Sequence, residues 1–249
     1  ASIIDGCRLS RASTRIFAHN DLDDLSRLLE QHRAAAACAF VVAEGVYSME
    51  GDLAPVDGLL EVCSHHDAVL VLDDAHGTGV CGEKGRGTLG PEVEDWESVV
   101  LVGTLSKALG SQGGYVCCSK EAKRFLVNFA RPHIFSTGLA LPSAAGALEG
   151  VRMLLEGTDQ FDELGTNIRV FAKHLEENGV EANEDSAIFP VRLGSETAAL
   201  KVASSLRTKG FCVGAVRPPA VPQGTSRLRI TVGSRHTGTQ LATLAQLVG

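Results

Sequence analysis

Along the first half of the chain, short β-branched runs alternate with stretches of helical period. Ala39–Ala43 reads as a strand, Leu53–His66 as a helix and Ala68–Asp73 as a buried strand. Ser98–Gly103 and Gly114–Cys118 are two further strands, followed by a helix through Ser119–Ala130. The apolar runs are nearly continuous, which predicts strands covered on both faces and a mostly parallel α/β sheet. From Leu141 the pattern lengthens. Ser143–Glu156 and Phe161–Asn178 read as amphipathic helices, the first a connector between domains. A strand at Ile188–Leu193, a helix across Glu196–Lys209, and strands at Phe211–Val216 and Arg227–Val232 then predict a smaller α+β domain. Pro218–Pro222 is a stiff loop leading into the last strand.

The 249 residues leave room for one large or two modest domains with a real core. A hydrophobic share of 44% and a charged share of 21% exclude whole-chain disorder. The net charge of −7 gives no footprint for nucleic acid or an anionic membrane. The longest apolar stretch, Ala34–Ala43, is about half the ~20 residues of a membrane helix. The seven cysteines are odd in number and never spaced as CxxC, which argues against a zinc cage or a disulfide framework. Reduced thiols in a cytoplasmic or organelle-matrix protein are the expectation. The chain opens at Ala1 with no signal-peptide pattern, so an N-terminal part is expected to be missing.

Three clusters fall where strands end, the edge at which open α/β sheets bind ligands: Glu44–Asp52, Asp73–Gly82 and Gly103–Gly114. The second spells GxGxxG at Gly77, Gly79 and Gly82, with Glu97 twenty residues past the first glycine. A dinucleotide site needs its glycines directly after the strand and a helix behind them. Here Asp73, Asp74 and His76 intervene, and Gly85, Gly87 and Gly90 follow, so a nicotinamide oxidoreductase ranks low. Asp-Asp-Ala-His also resembles the acidic box of helicases, yet no phosphate loop of the GxxxxGKS or GxxxxGKT type accompanies it. A metal site from Asp73, Asp74, His76, His65 and His66 is weakly supported, because the paired histidines fall at a helix end.

The third cluster sets Lys107 between Thr104 and a run of glycines. An isolated lysine there reads as an exposed loop residue. Its company changes that reading. A pyridoxal phosphate enzyme needs an amine for the Schiff base, a carboxylate for the pyridine nitrogen, a donor for the ring oxygen and hydroxyls for the phosphate. Asp73, His76, Thr104 and Lys107 supply those types in order.

Val42-Ala-Glu-Gly-Val-Tyr-Ser-Met-Glu-Gly-Asp-Leu-Ala-Pro55, Leu72-Asp-Asp-Ala-His-Gly-Thr-Gly-Val80, Gly103-Thr-Leu-Ser-Lys107, Phe135-Ser-Thr137 and Arg227-Leu-Arg-Ile230 together resemble the α-oxoamine synthase family. The resemblance runs from Ser2-Ile-Ile-Asp-Gly6 to Arg235-His-Thr237 and is strongest to the biotin-pathway branch. It implies the α/β PLP-dependent transferase fold type I (aspartate aminotransferase-like), with a mostly parallel central sheet and a smaller C-terminal α+β domain. The large cofactor domain is expected over residues 1–156 and the small domain over 157–249. The implied activity is that of a homodimeric acyltransferase using pyridoxal 5'-phosphate. Its substrates are an amino acid, L-alanine, and an acyl thioester, pimeloyl-CoA or a pimeloyl-carrier protein, joined with loss of carbon dioxide. The rivals are a family member using glycine or serine, and a non-catalytic partner subunit, which would not need Lys107.

By the same resemblance, Lys107 carries the cofactor and later takes the substrate's α-proton, while Asp73 pairs with the pyridine N–H. The plain alternative for Asp73 is a turn cap. Asp74 faces the other way and is structural. His76 hydrogen-bonds the ring oxygen or the incoming acyl group, or is a satisfied core histidine. Ser48 lies near the ring oxygen, or only caps its turn. Thr104 binds phosphate, and Ser136 and Thr137 reach phosphate across a dimer interface, unless they form a turn ahead of Pro142. Arg229 clamps the amino-acid carboxylate, whereas Arg227 is expected on the opposite face as a surface charge. The family's glycine-rich phosphate loop and ring-stacking residue fall upstream of Ser2, so the chain is expected to be the back two-thirds of a longer enzyme.

Overall fold

The computed structural model describes residues 1–90, 93 and 95–249. The chain divides into two units, residues 1–45 with 54–155 and residues 46–53 with 156–249. The segment Val46–Leu53 thus belongs with the C-terminal unit, although it lies between two elements of the first.

In the first unit, helices α1 (Ser2–Ser10) and α2 (Leu22–His32) precede strand β1 (Ala39–Glu44). Asp21 caps α2 by accepting the Asp24 amide. Helix α3 (Val56–His65) then leads to β2 (Ala68–Asp73), and β3 (Val99–Thr104) and β4 (Gly114–Cys117) complete a sheet of order β1-β2-β3-β4. The pairs β1–β2 and β2–β3 are parallel and β3–β4 is antiparallel, so the sheet is mostly parallel, as expected. Helices α4 (Lys120–Phe129), α5 (Arg131–Ile134) and α6 (Leu141–Glu156) follow. Strands β2 and β3 alternate fully buried with half-buried positions and carry no exposed one. One row, Ala68, Leu70 and Leu72 with Val99 and Leu101, forms the deep core with Leu59 and Cys63 of α3. Burial pushes the Cys63 thiol up to about 12, which keeps it protonated and unreactive.

In the second unit, α7 (Asp159–Glu177) precedes β5 (Ile188–Gly194), α8 (Glu196–Thr208), β6 (Gly214–Val216), β7 (Ser226–Thr231) and α9 (Gly238–Val248). The three strands form an antiparallel sheet of order β5-β7-β6. Its core joins Phe171 and Leu175 of α7 to Phe189, Leu228 and Leu206, with Phe171 edge-on to Phe189 at 5.0 Å between centroids. The expected strand from Phe211 is shorter, because only Gly214–Val216 meets the ladder of β7. Among the described residues no helix is long and apolar enough to cross a membrane.

Candidate active site

Parallel neighbours end on the same edge of a sheet, so the turns after β1, β2 and β3 emerge together. The register pairs Glu44 with Asp73 and Asp73 with Val102, and the Asp74 amide donates to the Val102 carbonyl at 2.8 Å. Asp73 is half-buried there, and its Oδ1 accepts the Ala75 amide at 3.0 Å. The turn-capping contact is therefore present. His76 follows in the same turn, also half-buried.

Thr104 ends β3, and Lys107 lies exposed three residues beyond it. The loop folds back on itself: Leu105 N donates to Gly113 O at 2.9 Å, Ser111 N to Leu105 O at 2.8 Å and Gly110 N to Lys107 O at 3.0 Å. Gly113 takes φ +123°, a backbone that side chains rarely adopt. The Thr104 hydroxyl lies 2.7 Å from Ser106 Oγ and accepts the Ser106 amide at 3.2 Å. Ser106 is thus a second hydroxyl at this position, one that motif reasoning passed over. Ser136 and Thr137 lie elsewhere, on an exposed segment between α5 and α6. The structure therefore gathers Asp73, His76, Thr104 and Lys107 along one sheet edge and carries Ser136 and Thr137 on a separate stretch.

Asp74 points the other way and is fully buried. Its Oδ1 accepts the Thr88 amide at 3.1 Å and the Thr88 hydroxyl at 2.6 Å, and its Oδ2 accepts the Thr78 hydroxyl at 2.9 Å. Burial pushes its carboxyl up, the donors from Thr88 and Thr78 pull it back, and the charge of Asp73 pushes it further up. A Cβ on Gly77 or Gly87 would fall 2.0 Å from this carboxylate, and one on Gly45 2.8 Å from it. The glycines that spelled a dinucleotide motif therefore include Gly77, which makes room for Asp74. Behind the run stands a short 3-10 turn, Glu83–Gly85, rather than a helix.

In the second unit, Arg229 donates from Nε to the Ser48 carbonyl at 2.6 Å and from Nη1 to Thr231 Oγ1 at 3.2 Å. Arg227 is not a surface charge. It is 2% exposed and pairs with Glu50 through Nη1 at 2.6 Å. Residues two apart on a strand share a face, so Arg227 and Arg229 both reach the Val46–Leu53 segment. The parity of their numbers already held that signal. Arg192 Nη2 meets the other oxygen of Glu50 at 3.0 Å. Burial alone would raise the Glu50 carboxyl, but the Arg227 and Arg192 guanidinium groups outweigh it and hold it below its usual range. Among the described residues no group of three or more metal-ligating side chains is found.

The chain matches the family Aminotransferase class I and II over residues 1–248. A putative 8-amino-7-oxononanoate synthase of Desulforudis audaxviator is 44% identical over 241 residues, covering 97% of this chain and 62% of that protein. An 8-amino-7-oxononanoate synthase of Lysinibacillus sphaericus is 40% identical over 97% of this chain and 62% of its own length. The chain thus spans about 62% of the length of these curated relatives. Among solved structures, a serine palmitoyltransferase from S. paucimobilis with a bound PLP–myriocin aldimine superposes with TM-score 0.92 at 32% identity, covering 100% of this chain and 63% of that one. An 8-amino-7-oxononanoate synthase from Francisella tularensis gives TM-score 0.84 at 27% identity, covering 100% of this chain and 71% of that one. These likenesses bear out the fold-type I transferase architecture and the α-oxoamine synthase resemblance of the motifs. The chain belongs to the aminotransferase class I and II family.

Proposed function

We propose that this chain serves a pyridoxal phosphate-dependent acyltransferase, which joins L-alanine to a pimeloyl thioester with release of carbon dioxide and the free thiol to give 8-amino-7-oxononanoate. The observation that carries the reading is the placement of Asp73 and the Lys107 loop at the adjacent carboxyl ends of β2 and β3. An amine, a carboxylate, an imidazole and two neighbouring hydroxyls on one edge fit a phosphorylated pyridine aldehyde. When bound, that cofactor supplies a carbonyl for amines and a ring that withdraws electrons from the substrate's α-carbon.

Lys107 would hold the cofactor through its Nζ and afterwards take the α-proton of the amino acid. Asp73 would keep a proton on the ring nitrogen, its carboxylate facing it as an acceptor. His76 and Ser48 would donate to oxygens of the ring or the acyl group, and Thr104, Ser136 and Thr137 would meet phosphate. Arg229 would hold the amino-acid carboxylate, a task for which a planar fork of donors is suited. The exposed Phe125, Phe129, Phe135 and Leu141 support a homodimer in which a second copy covers this apolar stretch.

Purified protein mixed with pyridoxal phosphate should develop a visible-range absorption band, which Lys107→Ala abolishes. An unchanged spectrum in that variant would sink the assignment. The likeness to serine palmitoyltransferase keeps a second reading in play, a serine-using enzyme with a longer acyl thioester. Thiol release assayed in parallel with alanine, glycine and serine decides between them, and alanine is expected to lead.

A further inference from the structure

The turn that carries Ser48 is held from β7 by two arginines at once. Arg229 Nε donates to the Ser48 carbonyl at 2.6 Å, and Arg227 Nη1 reaches the Met49 carbonyl at 3.2 Å and the Glu50 carboxylate at 2.6 Å. Arg227 is further fixed by its Nε, which donates to Thr225 O at 3.1 Å. The far side of the turn is fixed too. Ser186 Oγ donates to the Gly51 carbonyl at 2.6 Å, and a Cβ on Gly51 would fall 2.2 Å from the Ile188 carbonyl. Three consecutive residues, Ser48 to Glu50, are therefore fastened to the sheet.

We propose that Glu50 and Arg227 are positioning residues for the amino-acid substrate. Their ion pair, buried on the Arg227 side only, holds the turn, so that the Ser48 carbonyl fixes the Arg229 guanidinium for the substrate carboxylate. This rests on the pyridoxal phosphate reading above and deepens it. A guanidinium is planar, so occupying Nε orients the whole fork. Nε on the Ser48 carbonyl and Nη1 on Thr231 Oγ1, at 3.2 Å, fix the fork at two points. Fixing the fork before substrate arrives spares the ordering of a long side chain on binding. Glu50 is the part that makes this possible, because without a carboxylate beside it the guanidinium of Arg227, 2% exposed, would be left as an uncompensated charge.

The test titrates L-alanine into the purified full chain loaded with pyridoxal phosphate and follows the change in the cofactor band. Glu50→Gln should raise the alanine Kd about tenfold while leaving the KM for the acyl thioester in place. Arg229→Lys should weaken alanine binding by itself, and adding Glu50→Gln to it should cost nothing more, since Glu50 acts through Arg229. Alanine bound as tightly by Glu50→Gln as by wild type overturns the proposal, as does an undiminished effect in the Arg229→Lys background. If Glu50→Gln does not fold, Arg227→Lys keeps the charge but cannot hold Thr225, Met49 and Glu50 together. The same loss of alanine binding is then expected, and unaltered binding is again fatal. A wild-type protein with no cofactor band overturns the underlying reading instead.

Discussion

Asp74 in the first unit is fully buried and Glu50 in the second is half-buried, and the two carboxylates are held by opposite means. Asp74 is surrounded by hydroxyls, an amide and three close glycines, and burial leaves its carboxyl raised. Glu50 lies between two guanidinium groups and is lowered. Fixed dipoles hold a carboxylate in place without neutralising it, whereas cations both hold and neutralise it. Dipoles at Asp74 hold that group without setting a cation one residue from Asp73, the carboxylate proposed to keep a proton on the cofactor ring. Arginines at Glu50 do something else: they turn a surface loop into a rigid extension of the sheet.

The sharpest way to break the Asp74 arrangement is to fill the space beside it. Gly87 has φ +105°, and a Cβ there would fall 2.0 Å from Asp74 Oδ2. Backbone strain and overpacking together should make Gly87→Ala cost about 4 kcal/mol. Gly90→Ala is the matched control, since no described residue lies within 4 Å of its Cβ position. Urea unfolding should separate the two variants widely, and equal midpoints would refute the packing argument.

The pH dependence of stability sharpens the contrast, because the two groups must give opposite slopes. The folded-state value of Glu50 is lowered from 4.5, so its contribution is full above pH 4.5 and is lost as pH falls through the folded value. That of Asp74 is raised from 3.8, so its ionisation costs nothing below pH 3.8 and weakens the fold as pH rises above it. Relative to wild type, Glu50→Gln should lose stability as pH rises toward 4.5, and Asp74→Asn should gain as it rises past 3.8. Each change should be of order 1 kcal/mol, with that at Glu50 the smaller because water partly screens it. Parallel curves for the two variants would remove the distinction.

Much of this was legible in the chain itself, for reasons that can be named. Ala68–Asp73 is an apolar run closed by an acid, and it forms β2 with those bounds. The order Asp73, His76, Thr104, Lys107 survives folding because adjacent parallel strands deliver successive turns to one edge. Helix α2 was passed over although Asp21 caps it and Leu22, Leu25 and Leu29 keep helical spacing. The Glu50–Arg227 pair was beyond local pattern, since its partners are brought together only when β7 inserts between β5 and β6. Gly77 and Gly87 stand in a glycine-rich run, but which atom a missing Cβ spares is settled by packing, and here both spare the carboxylate of Asp74.

The smallest expected effect concerns the outer end of the Asp74 network. The Thr78 hydroxyl has one proton, and with Asp74 ionised it donates that proton to the carboxylate. The Tyr115 hydroxyl, 2.8 Å from Thr78 Oγ1, must then be the donor to Thr78, so the chain of donors runs from Tyr115 through Thr78 to Asp74. Tyr115→Phe removes only the last donor. Its ring still packs over Gly103, where a Cβ would fall 2.1 Å from the Tyr115 Cζ. The cost should be about 1 kcal/mol, the net worth of one hydrogen bond. In an Asp74→Asn background Thr78 is no longer bound to donate inward, its hydroxyl can turn, and the same substitution should cost measurably less. Equal costs in the two backgrounds would mean that the tyrosine hydroxyl acts independently of the carboxylate, and that the dipolar cradle ends at Thr78.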